Sequence, residues 1–386
     1  MKKWIAVFLG LLIVCTACIA IAEEDADAIV DKGNEALEAK DYATAMELYT
    51  RAADLGNARG VCNIGWLYQN GFGVEQDYKK AIEYYEKASA MGWNNATTNL
   101  GWLYYNGEGV EQDYGKALEY FKLAAEQGNA DATGQLGYMY CNGIGVDTDY
   151  KKAIEYYTRA LELGDKIALH NLGWMYETGT GVEQDDKKAI EYFTKAADAG
   201  VVLSMYALGI KYYYGEGVEK SDEKALEYMI KAAEAGYPDA YGFAASMYEE
   251  GEGVEKSPEK AVEYYKAGAE LGDMFSNTNL GWLYYEGKDV EQDYEKAMEY
   301  CLKSAVLGDY AAIDTIATLY RDGLGVEQDY KKAADLYWMA WNLCDEPDEK
   351  VREDALKDLK EKYDQLIKDG KIPTDYEPKE VTFETK

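Results

Sequence analysis

Between Asn99 and Gln127 the apolar positions fall into two helical stripes. Leu100, Leu103 and Tyr104 follow i, i+3, i+4 spacing, one face of a first helix. Ala117, Tyr120, Phe121 and Ala124 form the stripe of a second, predicted over Tyr114 to Gln127. Between them Gly107-Glu108-Gly109 ends the first helix, because glycine takes the left-handed C-cap conformation at little cost. Asp113 opens the second by offering a carboxylate to free backbone N–H groups, and Gly128 closes it. The pattern predicts a helix–turn–helix unit.

That unit recurs along most of the chain. Gly-x-Gly-Val returns at Gly71, Gly107, Gly143, Gly179, Gly215, Gly251, Gly287 and Gly323, a period of 36 residues without insertion. The seventh copy places Asp289 where the second glycine stands elsewhere. Asp41, Asp77, Asp113, Asp149, Asp185, Ser221, Ser257, Asp293 and Asp329 fill the N-cap slot. Ser257 is followed by Pro258, which suits a first helical position. A mid-helix slot holds Gly65, Gly101, Gly137, Gly173, Gly209, Ala245, Gly281 and Ala317. Glycine there costs about 1 kcal/mol in helix propensity, so close helix–helix approach is the expected compensation.

The two ends differ. The opening unit runs from Gly33-Asn34-Glu35-Ala36-Leu37 to Asp41-Tyr42 by a short connection. Residues 345–369 place Val351, Ala355, Leu359, Tyr363 and Leu366 on one stripe, as a capping helix with a polar outer face would. Residues 370–386 lack periodicity and read as a flexible tail. The expectation is an all-α solenoid of nine helix pairs with a C-terminal cap: a unit over 23–57, eight repeats over 58–344, then the cap.

Residues 1–22 read as an export signal. Lys2-Lys3 precedes an uncharged, mostly apolar run from Trp4 to Ile21, and Ala20-Ile21-Ala22 supplies a small-x-small cleavage site. An uncleaved anchor and a lipidated Cys18 are the alternatives. The Cys18 match is weak because Cys15 stands where an aliphatic residue is usual. The destination is periplasmic or secreted.

Charge and composition exclude several functions. Forty Lys and Arg against 72 Asp and Glu give a net charge of −32. That argues against a nucleic-acid binder and suits a soluble surface or the steering of a basic partner. One histidine excludes a multi-histidine metal site, and no cofactor motif emerges. Cys62, Cys141, Cys301 and Cys344 each sit alone in different slots, which favours free thiols over disulfides.

The pattern resembles the Sel1-like repeat family, relatives of the tetratricopeptide repeats. The residues that carry it are Leu100-Gly101-Trp102-Leu103-Tyr104, Gly107-Glu108-Gly109-Val110, Asp113, Lys116-Ala117, Tyr120, Ala124-Ala125 and Gly128, and equivalents over about 58–344. Residues 26–56 look more like a tetratricopeptide unit. The resemblance implies a right-handed α-α superhelix whose first helices line a concave surface. It also implies adaptor or scaffold work in protein complexes, often in envelope or secretory compartments.

One first-helix stripe lies outside these structural requirements. It holds Asn63, Trp66 and Asn70; Asn99, Trp102 and Asn106; Gln135, Tyr138 and Asn142; Asn171 and Trp174; and later Asn279 and Trp282. Spacing of i, i+3, i+7 puts each set on one helical face. Two readings stand. The stripe is a binding ladder, with amides for peptide backbones and aromatic faces as anchors, or Trp packs between helices and Asn satisfies local backbone groups. Ala207, Ile210 and Tyr214, then Phe243, Ser246 and Glu250, break it in the middle. The function expected is non-catalytic binding of a protein or peptide partner of basic character. Recognition of envelope glycans or cell-wall fragments is the alternative. A β-lactamase-like hydrolase is remote, resting on Ser221-x-x-Lys224 and Ser257-x-x-Lys260, which coincide with N-cap slots.

Overall fold

A computed structural model of the chain describes residues 25–344 and 349–383. The expected signal over 1–22 lies outside the described residues. The chain divides into two compact units at Gln184/Asp185. The first holds α1 (Ala26–Glu38), α2 (Tyr42–Asp54), α3 (Ala58–Asn70), α4 (Tyr78–Ala90), α5 (Asn94–Asn106), α6 (Tyr114–Glu126), α7 (Ala130–Asn142), α8 (Tyr150–Glu162) and α9 (Ile167–Thr178). The second holds α10 (Asp186–Asp198), α11 (Val202–Tyr214), α12 (Asp222–Glu234), α13 (Pro238–Glu250), α14 (Pro258–Glu270), α15 (Met274–Glu286), α16 (Tyr294–Ala305), α17 (Tyr310–Asp322), α18 (Tyr330–Leu343) and α19 (Glu349–Lys368). Every described element is a helix, and within each unit consecutive helices pack on one another. Each unit is an all-α solenoid.

Local chemistry explains the helix ends. Asp113 accepts from the Lys116 backbone N–H at 3.0 Å, and Ser221 and Ser257 cap their helices in the same way. All nine predicted caps bond a backbone N–H. Gly107 closes α5 at φ 75°. First helices begin earlier than the stripe at Asn99 indicates: α5 starts at Asn94, and Ala96 and Thr97 are fully buried there.

The mid-helix glycines permit close approach. A Cβ at Gly101 would lie 2.6 Å from the Phe121 ring, and one at Gly137 2.6 Å from the Tyr157 ring. Gly33 belongs to the same slot, since its Cβ would lie 2.5 Å from Tyr49. The short first connection hides it from a 36-residue count.

Tyr104 and Tyr120, assigned to the core stripes by spacing, are only half-buried. They stack on each other at 5.5 Å, with the Lys116 ammonium 5.0 Å from the Tyr104 ring. Tyr140–Tyr156, Tyr212–Tyr228 and Tyr284–Tyr300 repeat the stack. Lys152, Lys224 and Lys296 repeat the cation contact. Much of the tyrosine content therefore covers the helix pairs from outside, while Tyr49, Tyr85, Tyr265 and Tyr337 fill the cores.

At the C-terminus α19 buries Leu359 and Leu366, whereas Val351 is exposed. After Gly370, where a flexible tail is expected, the described residues up to Phe383 make contacts with the helices. Ile372 is buried, the Tyr376 hydroxyl donates to Asp335 at 2.9 Å, and so does the Lys379 backbone N–H. Val381 and Phe383 pack against the core. The apolar residues are too few to show a period, but they suffice to hold the segment down.

Candidate functional site

In the first unit the stripe runs along α3, α5, α7 and α9. Its aromatic members are not equivalent. Trp66 is half-buried and packs against Phe72 at 5.2 Å. Trp102 lies edge-on to Phe121 at 5.3 Å and donates to Asp131 on α7 at 3.3 Å. Both are partly committed to holding repeats together. Tyr138 and Trp174, each 42% exposed, present their rings to solvent.

The amides divide as well. Asn70 donates to the Trp66 carbonyl at 2.8 Å and Asn142 to the Tyr138 carbonyl at 2.9 Å, which engages last-turn acceptors. Asn106 donates to Glu108 at 3.1 Å. Asn63 and Asn99 instead reach the preceding first helix, to Asn34 Oδ1 at 3.3 Å and Cys62 Sγ at 3.8 Å. Gln135 and Asn171 are half-buried on α7 and α9. In the second unit Trp282 is 40% exposed, with the Lys288 ammonium 4.9 Å from its ring, and Asn279 donates to the Phe275 carbonyl at 2.8 Å.

The second unit also holds a cavity of about 650 Å³ against α11, α13 and the start of α15. Tyr206, Tyr213, Tyr214 and Phe243 supply aromatic walls, and Asp239, Glu252 and Asp273 supply carboxylates. Tyr213 meets Phe243 and Tyr214 edge-on, each at 5.0 Å. Burial, then Asp239, Tyr237 and Asp273, push the Tyr206 phenol up to about 12. Burial and Glu252 push Tyr213 up to about 12 as well. Asp273 caps α15 through the Ser276 backbone N–H at 2.8 Å, and burial raises its carboxyl above the ordinary range. The sequence marks this place only as the break in the ladder. Ser246 lines the cavity in the slot filled by Trp66, Trp102, Trp174 and Trp282 elsewhere.

A family model for the Sel1 repeat matches nine segments, 32–57, 58–93, 95–129, 130–165, 166–201, 202–237, 238–273, 275–309 and 316–340. The chain belongs to the Sel1 repeat family. The first segment covers most of the unit, residues 26–56, that looks tetratricopeptide-like by sequence. A Sel1 repeat protein of Oxalobacter formigenes is 31% identical over 62% of this chain and 96% of its own, with a TM-score of 0.55. A protective antigen of uropathogenic Escherichia coli with an SLR fold is 28% identical over 94% and 97%, at 0.46. Helicobacter pylori cysteine rich protein B is 29% identical over 33% and 92%, at 0.28. No curated protein matches. Sel1-repeat proteins are typically protein-interaction scaffolds.

The two Ser-x-x-Lys segments of this Sel1-repeat chain lie at helix starts. Ser221 and Ser257 accept from the Lys224 and Lys260 backbone N–H groups at 3.3 and 3.4 Å. The two ammonium groups lie 4.8 and 4.9 Å from the Tyr212 and Tyr248 rings. Burial lowers the pKa of His170 on α9. Cys62, Cys141 and Cys301 are buried, and with Cys344 they are free thiols among the described residues. Desolvation pushes Cys62 and Cys301 up to about 12, away from nucleophilic use. Among the described residues no cluster of His, Cys, Asp or Glu fits a metal ion, and no helix is long and apolar enough to cross a membrane.

Proposed function

We propose that this Sel1-repeat protein is a non-catalytic scaffold of the cell envelope or secretory pathway that binds a protein or peptide partner along its first helices. The carrying observation is the exposed pair Tyr138 and Trp174 on α7 and α9, in the stripe shared with Gln135 and Asn171. Large aromatic faces beside amides supply apolar area and backbone hydrogen bonding together. Trp66 and Trp102 contribute their outer edges only, since packing uses the rest of each ring. Export rests on Lys2-Lys3, the apolar run and Ala20-Ile21-Ala22.

Cross-linking capture from the native compartment tests this reading, with the full chain beside a Tyr138→Ala/Trp174→Ala variant. Both residues are exposed, so the variant should melt as wild type does. The expected result is one protein held by wild type and bound at least tenfold more weakly by the variant. Equal capture would move the site off this stripe. Binding to envelope glycans instead, unweakened by salt, would replace the protein partner with a neutral carbohydrate.

A further inference from the structure

We infer that the cavity of the second unit is a receptor for the cationic side chain, arginine or lysine, of a basic peptide segment. Its volume of about 650 Å³ falls within the range of ligand pockets. Tyr206, Tyr213, Tyr214 and Phe243 offer ring faces and edges, and Asp239 and Glu252 bring carboxylates to the same space. No lysine or arginine is among the described lining residues. Aromatic faces attract a desolvated cation, and carboxylates bond its N–H groups. Asp273 and Glu252 are already engaged, Asp273 in capping α15 and Glu252 in a side-chain hydrogen bond with Tyr213.

Three observations support a cation rather than a neutral apolar guest. Lys220 already places its ammonium 5.2 Å from the Tyr213 ring, so one such contact forms within the unit itself. Burial first, and then the nearby carboxylates Asp239 and Glu252, raise the Tyr206 and Tyr213 phenols, so acids share the space with the rings. The chain as a whole, at −32, draws basic partners toward it. The cavity shares no residue with the α7 and α9 stripe, so each reading can fail alone.

The test uses the full chain and Gly/Ser dodecapeptides with one central arginine or lysine, compared with citrulline and acetyl-lysine counterparts. Thermophoresis should show saturable binding of both cationic peptides and at least tenfold weaker binding of both neutral ones. Ser246→Trp restores the side chain other repeats carry and leaves the charge unchanged. It should fill the cavity and weaken the arginine peptide at least tenfold, which separates the pocket from general acidity. Asp239→Asn/Glu252→Gln should do the same without adding bulk, and keeps the test open if Ser246→Trp misfolds. Equal affinity for charged and neutral peptides, no saturable binding, or full affinity in folded Ser246→Trp would overturn the assignment.

Discussion

Gly101 shows how a repeat position is decided by its neighbour rather than by helix propensity. Alanine would gain about 1 kcal/mol as a helix former. Its Cβ, however, would sit 2.6 Å from the Phe121 ring, which is fully buried and edge-on to Trp102. Overpacking of this kind costs about 1–3 kcal/mol. Ala245 and Ala317 occupy the slot opposite buried Tyr265 and Tyr337, so a pair can be built one methyl wider when its neighbours allow. Gly101→Ala should therefore destabilise by up to about 2 kcal/mol, read as a lower denaturant midpoint at unchanged slope. Adding Phe121→Leu should return part of the loss. Compensation by close approach was legible in the sequence. Its partner atom was not, because the ring comes from the next helix.

At the scale of the element, the capping helix α19 is held by few groups. Leu359 and Leu366 are buried, and Lys362 reaches Asp314 on α17 at 2.8 Å. The stripe from Val351 to Leu366 foretold the helix, but its N-terminal end is exposed: Val351 lies at 49%. Removing a buried leucine side chain costs about 2–5 kcal/mol. Leu359→Ala should release α19 and speed amide exchange in α17 and α18, with α11 to α13 unchanged. Hydrogen exchange resolved by segment measures this. Uniform acceleration across the second unit would show that the cap is cooperative with the whole stack.

For the molecule as a whole, the excess of 72 acidic over 40 basic residues is the dominant field. Exposed pairs such as Lys152–Asp149 at 3.2 Å and Lys296–Asp293 at 3.1 Å relieve it locally. Such pairs contribute little each. Self-repulsion opposes compactness and is screened by salt. Raising sodium chloride from 10 to 150 mM should lift the unfolding midpoint by about 2–4 °C, equivalent to ~1 kcal/mol. Calorimetry at both concentrations checks it. A falling midpoint would mean that attractive pairs outweigh the net charge.

What the sequence determined by itself was the repeat: its period, its helix pairs, the Asp and Ser caps, the Gly turns and the family they mark. These features rest on bonds within a turn or two of chain, so residue order is enough to specify them. Tertiary structure decided which members of a repeated stripe remain available. Trp102 turns to Phe121 and Asp131 while Trp174 stays open. Tyr206, Phe243 and Phe275 meet around one cavity although they come from three helices. Tyr376 secures the C-terminal segment by reaching Asp335, 41 residues earlier. Each outcome depends on side chains brought together from separate helices or distant segments, and one-dimensional spacing does not encode those distances.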